Sequence, residues 1–158
     1  MANRINSDQA VEHAWKYFEL HSNQRTTLFN YFLFIMAGLG AALGAILQAS
    51  NKFSYVGIFI SIFVVLVSII FWKLDDRTSF LIKQSEQVFQ RLERNSSVDI
   101  GIFCNEDANL DKANKDRNII NKIITYGKLF RSTFLITGIA GVLGIILFIL
   151  ISLDCISL

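Results

Sequence analysis

Three long runs of apolar residues dominate the pattern of hydrophobic and polar positions along the chain. They cover 28–49, 55–72 and 133–153, and none of them contains a charged residue. Because an α-helix rises about 1.5 Å per residue, each run is long enough to cross a hydrocarbon core about 30 Å thick. The pattern therefore predicts three transmembrane helices. The first run starts too late and is too long for an ordinary signal peptide.

The segment before the first span, residues 1–27, has the spacing of an amphipathic helix. Its apolar residues recur at i, i+3, i+4 and i+7, and they are Val11, Ala14, Trp15 and Phe18. No glycine or proline separates this helix from the first span. It therefore either continues straight into the membrane or turns near Ser22 and lies on the membrane surface.

The polar segment between the second and third spans, residues 73–131, predicts a helical hairpin. Apolar stripes at helical spacing continue the second span to about Arg94 and precede the third span from about Asn105. Between these stripes, Asn95, two serines and Gly101 indicate a turn. We expect the two arms to be extensions of the second and third spans, with Gly127 the weak point of the second arm.

Composition supports the same fold class. The chain has 158 residues, of which 53% are hydrophobic and 18% charged, below the ~25% of a soluble domain. Proline is absent, so nothing rigidly interrupts a long helix. We predict an all-α integral membrane bundle. Its parts are an N-terminal helix (1–27), a transmembrane hairpin (28–72), the polar hairpin (73–131), a third span (132–153) and a tail (154–158).

The distribution of basic residues predicts the orientation of the chain in the membrane. Fourteen of the fifteen Lys and Arg lie in 1–27 or 73–131, and Lys52 alone lies in the short loop after the first span. By the positive-inside rule, 1–27 and 73–131 are cytoplasmic and the C-terminus is outside. Cys104 and Cys155 then lie on opposite sides of the bilayer and cannot pair within one chain. The net charge of +2 gives no sign of a nucleic-acid-binding surface.

Side chains with catalytic or metal-binding potential are sparse. The sequence has no glycine-rich phosphate loop, no metal-spaced cluster and no recognisable catalytic set, so we expect neither an enzyme nor a cofactor. His21, Gln24 and Arg25 form a polar group beside the first span. They are candidates for binding a lipid phosphate or a polar partner, or they simply belong to the polar girdle at the membrane surface.

Small residues in two of the spans predict close helix packing. In the first span they are Ala37, Gly40, Ala41 and Gly44, and in the third span they include Gly141 and Gly144. Such residues let helix backbones approach closely. Either the first and third spans pack together within one chain, or these faces join chains into a homo-oligomer. A pore between several chains would be lined by weakly polar residues, for which the candidates are Ser61, Ser68 and Thr137.

The stretch Tyr17-Phe18-Glu19-Leu20-His21-Ser22-Asn23-Gln24-Arg25, leading into Leu28-Phe29-Asn30-Tyr31-Phe32, resembles the start of small multi-pass bacterial membrane proteins of anti-phage defence systems. The resemblance covers residues 15–50. It implies an inner-membrane effector whose assembly changes on infection, so that the membrane loses integrity. The hairpin would then receive a soluble partner or a small signal. The alternatives are a membrane scaffold that docks a soluble protein, and a structural protein of the envelope.

Overall fold

The computed structural model describes residues 7–49, 51–95, 101–118 and 121–153, and these residues form helices and short connections. The elements, in chain order, are α1 (Ser7–Leu47), a 3₁₀ turn (Asn51–Phe53), α2 (Ser54–Asn95), α3 (Glu106–Asn114) and α4 (Tyr126–Ser152). The helices α1, α2 and α4 are each long and apolar enough to cross a membrane. The predicted all-α membrane architecture with three spans is confirmed.

The N-terminal segment and the first span form one helix. α1 has 41 residues and continues without interruption past Ser22. Of the two predicted alternatives, the one in which the amphipathic helix continues into the span is therefore correct. α2 likewise has 42 residues and carries the second span into the first arm of the polar hairpin. Both long helices reflect the absence of proline from the sequence.

The second arm of the hairpin differs from the prediction, because it is not one helix with the third span. α3 ends at Asn114 and α4 begins only at Tyr126. The Asn114 side chain accepts a hydrogen bond from the Ile123 N–H (2.8 Å) and donates one to the Ile123 carbonyl (3.1 Å). An asparagine that bonds nearby backbone groups competes with helical hydrogen bonds, and this pairing favours a turn over a continuous helix.

The chain divides into two compact units, and each of the helices α1 and α2 contributes to both. The polar unit contains the described residues of 7–25 and 77–126, and the apolar unit contains those of 26–76 and 127–153. The core of the apolar unit consists of the buried side chains Phe32, Val67, Phe130 and Phe134. In the polar unit, the buried apolar side chains are Ile82 and Phe89. The tail (154–158), with Cys155, lies outside the described residues.

Candidate functional site

The small residues of α4 pack directly against α2. A Cβ atom added to Gly141 would lie 2.8 Å from Val65 Cγ2 and 3.2 Å from the Ser61 carbonyl oxygen. One added to Gly144 would lie 2.7 Å from Ser61 Oγ. Real Cβ atoms essentially never make contacts shorter than 3.0 Å, so a side chain at either position would force the neighbouring atoms of α2 to shift. Glycine at both positions lets the two helices approach this closely. Gly141 and Gly144 therefore act within one chain.

The small residues of α1 make no such contact. Among the residues that the structure describes, none comes within 4 Å of a Cβ atom added to Gly38, Gly40 or Gly44. Ala37 and Ala41 are exposed as well. Only 6% of the most apolar stretch of α1 is buried within the chain, against 33% for α2 and 22% for α4. The glycines of the first and third spans therefore do not pair with each other, and α1 keeps a long uncovered apolar surface.

The three hydroxyl side chains that were predicted to line a pore lie at or near the contact between α2 and α4. Ser68 is 3% exposed and donates a hydrogen bond to the Val64 carbonyl (2.9 Å). Thr137 is half-buried and donates one to the Thr133 carbonyl (2.7 Å). Ser61 is fully buried, and its hydroxyl has no hydrogen-bond partner among the described residues. Their role in a pore stays a prediction.

Phenylalanines join the three long helices of the apolar unit. The rings of Phe29 in α1 and Phe130 in α4 stack at 4.0 Å with an angle of 8° between their planes. Phe32 is 1% exposed and packs edge-on against Phe134 at 4.7 Å, and it also contacts Phe71 of α2 at 5.4 Å. Such aromatic pairs contribute roughly 0.5–1.5 kcal/mol each beyond the area they bury.

An ion pair lies at one end of this aromatic core. The Arg131 guanidinium of α4 contacts Asp75 Oδ2 at 3.4 Å and Asp76 Oδ1 at 3.0 Å. Asp75 is 4% exposed, whereas the Asp76 side chain is 59% exposed. The sequence itself offers Arg77 as a partner of this acidic pair, because it is adjacent to Asp76. Arg131 was missed because it is 55 residues further along the chain, and only the charge at the start of the third span could have indicated it.

In the polar unit, the Glu93 carboxylate of α2 holds the segment before α3. It accepts hydrogen bonds from the backbone N–H groups of Ile102 (3.0 Å), Phe103 (3.0 and 3.1 Å) and Cys104 (2.9 Å). Desolvation raises the pKa of Glu93, but the hydrogen bonds from Cys104, Phe103 and Ile102 outweigh this effect and hold the pKa below its ordinary value. We call this arrangement the Glu93 clasp. Gly101, with φ of 57°, provides the left-handed backbone that precedes it.

Aromatic rings pack beside the clasp. Phe103 stacks on Phe89 at 4.9 Å, and Phe18 of α1 contacts both rings edge-on at 6.1 Å. Trp15 contacts Phe18 at 5.8 Å and Phe89 at 5.9 Å. Two residues of the apolar face predicted for the N-terminal helix, Trp15 and Phe18, therefore contact α2, and Phe18 also contacts the segment before α3. The Cys104 thiol donates to the Gln90 carbonyl at 3.3 Å and is free.

The polar group predicted beside the first span is partly engaged within the polar unit. His21 Nδ1 lies 3.2 Å from Gln24 Oε1, and the His21 ring packs edge-on against Tyr17 at 4.3 Å. Burial, and after it the carboxylate of Glu106, raise the pKa of Glu86, while the positive charge of Arg25 is among the groups that lower it. Binding of a lipid phosphate by His21, Gln24 and Arg25 stays a prediction. Among the described residues, no group of three His, Cys, Asp or Glu could hold a metal ion.

Comparison with known proteins identifies the family to which this chain belongs. Residues 9–154 match the model of the octameric membrane protein family. The CD-NTase-associated protein 19 of Escherichia coli is 41% identical over 139 residues, which are 85% of this chain and 87% of that protein. No solved structure shows significant similarity. The matches confirm the resemblance to membrane effectors of defence systems and support an oligomeric membrane protein. The chain belongs to the octameric membrane protein family.

Proposed function

We propose that eight copies of this chain form a pore-forming or membrane-disrupting assembly of the inner membrane, which acts in anti-phage defence and is controlled through residues 73–131. The observation that carries the proposal is the uncovered apolar surface of α1, since only 6% of the most apolar stretch of this helix is buried within the described chain. Family membership supports the oligomer, and the relative's name supports a role in a larger system. The assembly acts without catalysis or a cofactor of its own.

In this proposal α1 provides a contact between copies. Gly40 and Gly44 have nothing within 4 Å of an added Cβ, and Ala37 and Ala41 are exposed on the same helix. Within a bilayer, association between helices depends on close van der Waals packing rather than on hydrophobic burial. Small side chains allow that packing, so this part of α1 is suited to receive another helix.

The pore is lined by Ser61, Ser68 and Thr137 once it opens. In the single chain the hydroxyls of Ser61 and Ser68 lie on the side of α2 that faces α4, and the third hydroxyl, that of Thr137, lies in α4 itself. Opening therefore requires α4 to move away from α2. The unpartnered hydroxyl of Ser61 supports such a movement. A buried polar group without a hydrogen bond costs about 1–3 kcal/mol, and this cost disappears when water reaches the group.

Control passes through the polar unit, and the Glu93 clasp is the feature that supports it. The clasp fixes the segment before α3 onto α2, the helix that also carries Ser61 and Ser68. Because the pKa of Glu93 is lowered, the carboxylate stays ionised at neutral pH. Its contribution to stability is lost only when the pH falls through that lowered value. A soluble partner or small signal that displaces the segment would act on α2.

A measurement of membrane potential in cells tests the proposed pore-forming activity directly. Cells producing the protein are loaded with a potential-sensitive dye, with and without phage infection, and we expect depolarisation on infection. Glu93→Gln should alter the trigger threshold, whereas Glu86→Gln changes a nearby glutamate of α2 that does not hold the segment and serves as the matched control. If neither overproduction nor infection depolarises the cells, the pore proposal is wrong.

The proposed orientation places the N-terminus and residues 73–131 in the cytoplasm and the C-terminus outside. Fourteen of the fifteen Lys and Arg then lie on the cytoplasmic side, which supports it. Reporter fusions after Arg94 should be active only in the cytoplasm, and fusions after Leu158 only in the periplasm. The opposite pattern would reverse the topology and move the polar unit outside.

A second candidate function is a membrane scaffold that docks a soluble protein. The relative's name describes an associated protein, and the polar unit exposes large apolar side chains at Ile102 (66%) and Ile124 (57%). Deletion of 74–130 distinguishes the two functions. Loss of partner recovery, together with a membrane that never depolarises, would favour the scaffold.

A further inference from the structure

An apolar groove runs between α2 and α4 on the surface of the apolar unit. Its volume is about 530 Å³. The α2 side includes Ile69 and Trp72, the α4 side includes Leu135 and Gly138, and Lys73 contributes a cation to the lining. In a membrane, such a groove is filled by an acyl chain or by another helix.

The surface of α1 that points away from the core carries exposed apolar side chains that could enter such a groove. Phe32 is 1% exposed and faces the core, whereas Phe34 is 81% exposed and lies on the opposite side of the helix. Gly38 and Ala41 follow Phe34 at i+4 and i+7 and are also exposed. Asn30, at i−4, is exposed as well. Tyr31, at i−3, is 60% exposed on the same side of the helix. Two aromatic side chains therefore project from this face, and the residues that follow Phe34 on it are small.

The groove and this face of α1 lie at the same level of the bundle. The contacts of Phe32 with Phe71 and Phe134 define a common level in the three helices. At about 1.5 Å per residue, Phe34 lies roughly 3 Å from that level, and Gly138 lies roughly 6 Å from it on the same side. The groove residue Ile69 is two residues from Phe71 and lies at the level of Phe34.

On the other side of that level, a polar residue of the groove and a polar residue of α1 also lie at the same height along the bundle. Lys73 follows Phe71 by two residues in α2, and Asn30 precedes Phe32 by two residues in α1. The two helices run in opposite directions along the bundle, so both residues lie roughly 3 Å from the common level. Consider α1 of a second copy placed in the groove at the same level along the bundle axis. Its Asn30 amide would lie near the ammonium group of Lys73, and its apolar side chains would lie against the other residues of the groove.

We propose that the groove between α2 and α4 of each copy receives Phe34 and the adjoining small residues of α1 from the next copy. This inference rests on the proposed function, in which α1 forms a contact between copies, and it identifies the surface that α1 contacts on the next copy. The two surfaces are different patches of one chain, so the contact is head-to-tail. Head-to-tail contacts close into a ring when the rotation between copies fits, and a ring of eight such contacts would form an octamer. A cation–amide pair at one end sets the register of the contact.

Cysteine cross-linking between differently tagged copies tests the contact. The background carries Cys104→Ser and Cys155→Ser. One full-length copy carries Phe34→Cys, and the other carries either Leu135→Cys, in the groove, or Ile136→Cys as the matched control. Leu135 is 51% exposed and Ile136 66% exposed, but only Leu135 lines the groove. On oxidation in membranes we expect several-fold more cross-linked heterodimer with Leu135→Cys than with Ile136→Cys.

The outcomes separate this inference from the proposed function. Equal cross-linking to both positions, or cross-links mainly between two Phe34→Cys copies, would overturn the groove while α1 stays an interface. No cross-link from Phe34→Cys in an intact oligomer would overturn both. Tryptophan fluorescence tests whether lipid fills the groove instead. In a Trp15→Phe variant the remaining tryptophan is Trp72, which lines the groove. We expect brominated phosphatidylcholine to quench Trp72 weakly in the oligomer, and strong quenching would contradict the contact.

Discussion

The glycine-rich segments of α1 and α4 are similar in the sequence and different in the structure. In α4, Gly141 and Gly144 are in contact with Ser61, Val64 and Val65 of α2, and any side chain there would collide. In α1, no described residue lies within 4 Å of a Cβ atom added to Gly40 or Gly44. Small residues in a membrane helix therefore permit a close contact, but the sequence alone does not show whether that contact forms within the chain.

The cause of the difference lies in α2. The few small residues of its apolar run (55–72), Gly57, Ser61 and Ser68, are spaced i, i+4 and i+11, which places them on one side of the helix. That side meets α4, where Phe148 lies against Gly57 and Gly144 against Ser61. α1 meets the other helices through Phe29 and Phe32 instead. Because α2 has one such face in its apolar run, one helix can pack closely against it, and that helix is α4.

The largest expected effect is that of leucine at Gly144. A side chain there collides with the buried Ser61, so α4 must move away from α2 and the aromatic core is disturbed. Overpacking of this kind costs about 1–3 kcal/mol or more. In detergent, the thermal midpoint of Gly144→Leu should fall by several degrees or the protein should not accumulate. Gly138→Ala is the control, because its Cβ would lie an ordinary 3.6 Å from Ser68 Cβ. An unchanged midpoint for Gly144→Leu would contradict the close contact.

Next in size is the loss of the ion pair that fastens α4 to the end of the apolar part of α2. Asp75→Asn removes the charge of a carboxylate that is 4% exposed and faces Arg131, and hydrogen bonds to charged groups contribute about 1.5–3 kcal/mol. Asp76→Asn is the matched control, because that side chain is 59% exposed and exposed pairs contribute about 0–1 kcal/mol. Thermal unfolding of both variants should show the larger decrease for Asp75→Asn. Equal decreases would mean that burial of Asp75 does not matter.

Ser61→Ala should have a smaller effect of opposite sign. It removes a fully buried hydroxyl without a partner and keeps the side chain small enough for Gly144, so we expect the chain to become more stable by roughly 1 kcal/mol. Ser68→Ala, which removes a hydrogen-bonded hydroxyl, serves as the comparison. If the pore opens by exposing Ser61, Ser61→Ala should also depolarise cells less on infection. A destabilised Ser61→Ala would show that the hydroxyl has a favourable contact.

Much of this architecture could be predicted from the sequence, because it depends on local pattern. The three spans, the amphipathic face around Trp15 and the break before α3 follow from periodicity and turn residues. What could not be predicted depends on contacts between distant parts of the chain. Examples are the pairing of Arg131 with Asp75, the use of Asn114 to end α3, and the choice of α2 over α1 as the partner of the α4 glycines. The function of the candidate pore residues depends on contacts between chains, which no local pattern contains.

The smallest expected effect on the single chain is that of leucine at Gly44, and it tests the comparison most directly. Nothing surrounds the position, so the free energy of unfolding of one chain should change by less than about 1 kcal/mol. The oligomer, however, should dissociate, because the added side chain separates the two backbones. Native mass measurement in detergent checks this, with Val56→Leu as a control at an exposed α2 position. If Gly44→Leu formed a full-size oligomer and Gly144→Leu kept an unchanged thermal midpoint, the proposed difference between the two glycine-rich segments would be wrong.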